Sequence, residues 1–260
     1  MGLCLSRGDL SEPERAITQK EHDLGFESHR SERLDLVLRK FSHNEQLNDT
    51  QFAEAFKLLD LHAASTQSNT NIATFYNSLK VGSFYSLKYL LLVAVLLGEG
   101  SSRSKAKVLF EIYDFENSRK LSLEKVVHLC RDVFEVAVNK LTIVSDTSKP
   151  LVSDYIHKLR LNRGNAESSL KKLLIGDHPE VTLEQFIKAF DGEELEHFLK
   201  SHGARTYFFK YQSTLSPATF KKSESIVKQT TLDVQPSATT ASHQSNVKAS
   251  DQGTTARVKA

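Results

Sequence analysis

The sequence predicts an all-α fold in which four helix–loop–helix units form two pairs, flanked by a flexible N-terminal leader and a disordered C-terminal tail. Three observations predict it. Apolar residues recur at i, i+3, i+4 and i+7 through the middle of the chain, and no period-two run lasts more than a few residues. A lone apolar residue in a polar stretch is followed five positions later by an apolar residue that opens the next helix. This happens four times, at Leu47/Phe52, Phe84/Tyr89, Leu121/Val126 and Val181/Phe186. The two ends differ in composition from the middle.

Residues 1–28 are polar and read as the leader. Residues 29–99 read as the first pair of units, 100–212 as the second pair with a C-terminal helix, and 213–260 as the tail. In the first pair, Leu34, Val37, Leu38 and Phe41 share one helical face, and Phe52, Phe56 and Leu59 another. The run Tyr89–Leu97 is continuously apolar but far short of the roughly 20 residues a membrane-spanning helix needs, so it reads as a buried core helix. In the second pair, Val108, Leu109, Ile112 and Tyr113 make one face, and Val126, Leu129, Cys130, Val133, Phe134 and Ala137 the next. From Glu193, EELEHFLKSH reads as an amphipathic helix with Leu195, Phe198 and Leu199 available to dock on the body. Tyr207, Phe208, Phe209 and Tyr211 form an aromatic cluster that suits either the core or a partner. The tail carries sixteen Ser or Thr and few large apolar residues, too few to offset its ordering entropy.

Composition excludes several functions. The chain has 34 basic and 32 acidic residues, net +2, too balanced for nucleic acid to be the expected partner. Two cysteines, Cys4 and Cys130, make neither a disulfide scaffold nor a cysteine zinc site. The ten histidines include no H-x-x-x-H pair, and no nucleophile elbow, Walker loop or dinucleotide fingerprint occurs, so no enzyme is expected.

The N-terminus carries a modification pattern. Met1-Gly2-Leu3-Cys4-Leu5-Ser6 fits M-G-x-x-x-[ST], which places an acyl chain on Gly2 once Met1 is removed. One such chain holds a membrane only reversibly, and stable anchoring takes a second signal. Arg7, Arg15 and Lys20 are offset by Asp9, Glu12 and Glu14, so no polybasic patch serves. Palmitoylation of Cys4 is the natural second signal, and the expected location is the cytoplasmic face of a membrane.

The third unit, EIYDFENSRKLSLEKVVHL, resembles an EF-hand, with a loop from Asp114 to Lys125. Upstream, SFYSLKYLLLVAVLLGEGSSRSKAKVLFEIYD resembles the junction between the second and third hands of the calcineurin B and neuronal calcium sensor group. The resemblance spans about residues 30–190 and is sharpest over 84–126. It implies ion ligands at Asp114, Glu116, Ser118, the Lys120 carbonyl and Ser122, and calcium as the cofactor to consider at this third loop. It also implies a groove for a helix of a target protein, lined by Leu90, Leu91, Val133, Phe134 and Phe198.

The ligand chemistry is poor. Calcium takes six to eight oxygens, including a bidentate carboxylate at the twelfth loop position. In the register of the third loop, the others run Lys40–Gln51, Asn77–Lys88 and Leu174–Gln185. None ends in a carboxylate, and the third ends in Lys125, which is expected to pair with Asp114 or Glu116. Arg119 stands where a sharp turn favours glycine. The expectation is therefore a lipid-anchored adaptor with silent ion loops, binding a target helix. The alternative is a calcium sensor regulating a phosphatase or kinase.

Overall fold

A computed structural model describes residues 10–61, 70–195 and 197–210; the expected disordered tail and the acylation residues Gly2 and Cys4 lie outside the described residues. Eleven α-helices and five short strands are present among them. No described helix is long and apolar enough to cross a membrane.

The first half begins with α1 (Glu12–His22), then α2 (Ser31–Phe41), β1 (Gln46–Leu47) and α3 (Asp49–Leu58). It continues through α4 (Thr70–Ser78), the hairpin β2 (Lys80–Val81) and β3 (Phe84–Ser86), and α5 (Leu87–Leu97). The second half holds α6 (Ser102–Glu111), β4 (Lys120–Ser122) and α7 (Leu123–Phe134), which runs into a π-helical segment, Glu135–Lys140, and a short 3-10 turn. Then come α8 (Pro150–Leu161), α9 (Arg163–Ile175), β5 (Glu180–Thr182), α10 (Leu183–Ala189) and α11 (Ser201–Lys210). One continuous hydrophobic core joins α1 to α11, with α2 against α5 and α6, and α7 against α9.

The strands join loops in pairs. β4 lies antiparallel to β5 with Leu121 opposite Val181, the contact expected from the spacing. β1 pairs with β3, but Leu47 faces Tyr85 and not Phe84 as expected. The reason is a tight hairpin. Lys80–Val81 folds back on Phe84–Tyr85 around Gly82, whose φ of 64° is the left-handed conformation glycine adopts freely. The hairpin places Phe84 at its tip, 43% exposed, and Tyr85 inside, 7% exposed. A one-residue slip in a strand exchanges the buried and exposed faces.

With that correction the four loops share one local design. Each has an apolar plug followed by a cap residue: Leu47-Asn48, Tyr85-Ser86, Leu121-Ser122 and Val181-Thr182. Each cap side chain accepts the backbone N–H three residues on, at Gln51, Tyr89, Lys125 and Gln185. Such caps satisfy donors that a helix start leaves unpaired.

Residues 12–28 correct the expected leader. Helix α1 buries Ile17, and the following turn buries Leu24 and Phe26 in the core, each at most 2% exposed. Pro13 stands at the helix start, and Glu12 and Glu14 lie in the first turn, where acidic groups favour the helix dipole. Helix α8 was also not anticipated; it packs on α1.

Candidate functional site

The third loop was the expected ion site. The structure brings Asp114, Ser118 and the Lys120 carbonyl together, but bonds them to one another. Asp114 Oδ1 accepts the Ser118 backbone N–H at 2.9 Å and the Ser118 hydroxyl at 2.8 Å. Asp114 Oδ2 accepts the Arg119 N–H at 2.8 Å. The Ser118 hydroxyl also lies 3.0 Å from the Lys120 carbonyl oxygen. Burial tends to raise the Asp114 carboxyl, yet the hydrogen bonds from Ser118 and Arg119, helped by the Lys125 charge, hold it below the usual carboxylate range.

The other two expected ligands are engaged elsewhere. Glu116 turns outward, its side chain 77% exposed, and meets Lys125 Nζ at 3.4 Å. The Ser122 hydroxyl caps α7 by accepting the Lys125 N–H at 3.3 Å. Arg119 adopts φ 58° and extends to an ion pair with Glu184 across the paired loop. An ammonium at the twelfth position and a guanidinium at the sixth do not fit a hard dication. The loop is closed by its own side chains.

The first two loops are shorter turns than an ion cradle requires. His43 and Gln46 exchange backbone hydrogen bonds of 2.8 and 3.0 Å around Asn44 and Glu45, with φ of 49° and 59°. That is a two-residue hairpin, and its pair of left-handed residues is the signature of a type I′ turn. In the first and fourth loops the twelfth residue serves the helix instead. The Gln51 and Gln185 side-chain oxygens accept the Asn48 and Thr182 backbone N–H, each at 2.9 Å, completing capping boxes. Among the described residues there is no cluster of three or more His, Cys, Asp or Glu able to hold a metal ion.

The expected partner groove is not an open surface. Leu90, Leu91, Val133, Phe134 and Phe198 are each no more than 1% exposed. Leu90 and Leu91 belong to α5, which buries nearly every residue along its length. Phe134 and Phe198 are covered by α11: the Phe208 ring lies 4.9 Å from Phe134 and 5.7 Å from Phe198. The aromatic cluster therefore divides. Tyr207 and Phe208 are core, Phe209 stays 36% exposed, and Tyr211 lies outside the described residues. Cys130 is buried, and desolvation pushes its thiol up to about 12, which makes it an inert core residue.

The sequence reading missed the polar centre of the molecule. Arg205 of α11 is fully buried between Glu14 and Glu21 of α1. Its guanidinium reaches Glu14 at 2.7 Å and Glu21 at 2.7 Å, and donates to the Ala137 carbonyl at 3.1 Å. That carbonyl belongs to the π-helical segment, where the helical hydrogen-bond pattern is altered. The Tyr155 hydroxyl completes Glu14 at 2.8 Å, and the Ser201 hydroxyl completes Glu21 at 2.6 Å. Burial opposes the arginine charge, but the two carboxylates outweigh it and hold the guanidinium protonated. Lys105 makes a second buried link, donating to the Leu199 carbonyl at 2.9 Å; desolvation lowers it to about 8.

Compared with protein-family models, with curated proteins and with solved structures, the chain has no match in any of the three.

Proposed function

We propose that this chain is a lipid-anchored adaptor built on an EF-hand-like scaffold, held at the cytoplasmic face of a membrane by acyl groups on Gly2 and Cys4. It binds a helix of a target protein and is not an enzyme. The observation that supports the reading best is the repeated loop design. Four plug-and-cap units sit in two antiparallel pairs, and the atoms that would ligate an ion in the third loop are bonded within the loop. Such a scaffold keeps one shape without an ion switch.

Calorimetry with calcium on the full chain tests the silent loops. No binding tighter than about 10⁻³ M is expected, the weak end of the EF-hand range. Arg119→Gly combined with Lys125→Glu should create a measurable site, because it relieves a left-handed non-glycine residue and restores a twelfth-position carboxylate. A micromolar dissociation constant for the unaltered chain would replace the adaptor with a calcium sensor. The full chain is essential, since a cut at residue 28 removes α1 and leaves Arg205 buried without Glu14 and Glu21.

Cell fractionation tests the anchor. Gly2→Ala should move the protein from the membrane pellet to the soluble fraction, and Cys4→Ser should move part of it, as expected when one chain binds only reversibly. Retention of Gly2→Ala wholly in the pellet would end the anchor reading.

A further inference from the structure

A polar cavity of about 490 cubic Å lies where α1, the end of α5 and the first turns of α6 and α11 meet. Glu99, Lys105, Lys200, Ser201 and His202 stand on its wall. We infer that this cavity binds a small organic carboxylate, held by the ammonium of Lys105 with Lys200 beside it. The site is independent of the reading of Gly2 as acylated, and three observations carry it.

The first is a buried cation short of partners. Lys105 is 4% exposed, and an ammonium carries three donors. One goes to the Leu199 carbonyl at 2.9 Å; among the described residues the side chain makes no other hydrogen bond and no ion pair. Desolvation, and then the charge of Lys200, lower it to about 8, and Glu32 opposes them from beyond contact. A buried charge is costly unless it is paired, so the group this lysine lacks is an anion on the cavity side. The second observation is its neighbour. Lys200 is exposed where it lines the cavity and has no ion pair among the described residues. Helix α11 begins on the same wall at Ser201, and the positive end of its dipole adds to the two ammoniums.

The third observation fixes the kind of anion. Glu99 is exposed on the same wall, and Glu27 meets His22 there. These carboxylates repel a phosphate dianion more strongly than a monoanion. Glu21, also on the wall, is taken up by the Arg205 guanidinium and the Ser201 hydroxyl, so it competes for neither lysine. Desolvation holds His202 below its ordinary value, so near pH 7 it offers a donor without adding charge. Leu10, Leu96 and Leu97 supply an apolar share of wall for the body of the acid. The volume lies within the range of about 300–1,000 cubic Å typical of small-ligand sites. A carboxylate bonded to Lys105 and Lys200 would join α6 to the entry of α11, where Ser201 already bonds Glu21 of α1.

The test is calorimetry on the full chain at matched ionic strength, with sodium acetate and sodium benzoate, each against its uncharged amide, and with inorganic phosphate. At least one carboxylate should bind in the millimolar range or tighter, and about ten-fold better than its amide. Lys105→Met keeps a long apolar stem in place and removes the charge; it should weaken the carboxylate by at least about ten-fold. Lys200→Ala, at an exposed position where the fold is not at stake, should weaken it by about three-fold. If Lys105→Met does not fold, the amide comparison and Lys200→Ala decide. Equal affinity for acid and amide, or unchanged affinity in the folded variants, overturns the site. Phosphate binding tighter than either carboxylate overturns the ligand class. No binding by any probe up to about 50 mM overturns the inference altogether. Each of these results leaves the adaptor reading standing.

Discussion

Arg205→Leu should lower the unfolding free energy by about 3–5 kcal/mol, the range for removing one partner from a buried ion cluster. The side chain is fully buried, and its loss leaves Glu14 and Glu21, 2% and 4% exposed, facing each other without a counter-charge. The Ala137 carbonyl also loses its donor. The cost comes from the carboxylates left behind and not from the leucine, so replacing Arg205, Glu14 and Glu21 together by apolar residues should recover much of the loss. Recovery stays incomplete because the Tyr155 and Ser201 hydroxyls then lack acceptors. Lys158→Ala, which breaks an exposed pair with Asp154, should change stability by less than about 1 kcal/mol. Urea unfolding of the four proteins makes the comparison; an Arg205→Leu variant within 1 kcal/mol of the parent would refute the assigned role of the cluster.

This cluster also shows where reading the sequence stopped. Glu14, Ile17 and Glu21 fall on one stripe of α1, but two of the three are acidic, and a stripe so charged reads as solvated leader. Its partner is Arg205, 184 residues beyond Glu21, and no local pattern announces a pairing at that distance. Helical periodicity located α2, α3, α6 and α7, and a continuous apolar run located α5, because their burial is apolar and local. The same logic failed at Phe84. The spacing of five chose Phe84/Tyr89, while the buried residues are Tyr85 and Leu90. Gly82-Ser83 held the missing information, since a two-residue turn fixes which neighbour points inward. The partner-groove residues were legible as apolar positions on helices, but whether such positions face a partner or the chain's own α11 is settled by tertiary packing alone. The third loop was the most legible: Lys125 meets Glu116, and Arg119 takes the left-handed conformation.

The loop pairing gives the second large effect. Leu121→Asp should destabilise the protein by more than about 4 kcal/mol. Leu121 is fully buried opposite Val181, between the Lys120 and Ser122 positions of a three-residue ladder. Losing the leucine forfeits about 1.5–3 kcal/mol of apolar burial, and the new carboxylate meets an apolar neighbour with no donor assigned to it. Burial raises the folded-state pKa of such an aspartate above its unfolded value near 4. The deficit relative to the parent protein should therefore be smallest below about pH 4 and grow as pH rises through the folded-state value. The same substitution at the hairpin discriminates the observed register from its one-residue neighbour. Phe84→Asp, at a position 43% exposed, should cost less than about 1 kcal/mol, whereas Tyr85→Asp, 7% exposed and stacked on Phe52 at 3.9 Å, should cost several times more. Thermal or urea unfolding reads all three variants. Equal losses at Phe84 and Tyr85, or a mild effect at Leu121, would mean that the loops do not pair through these plugs.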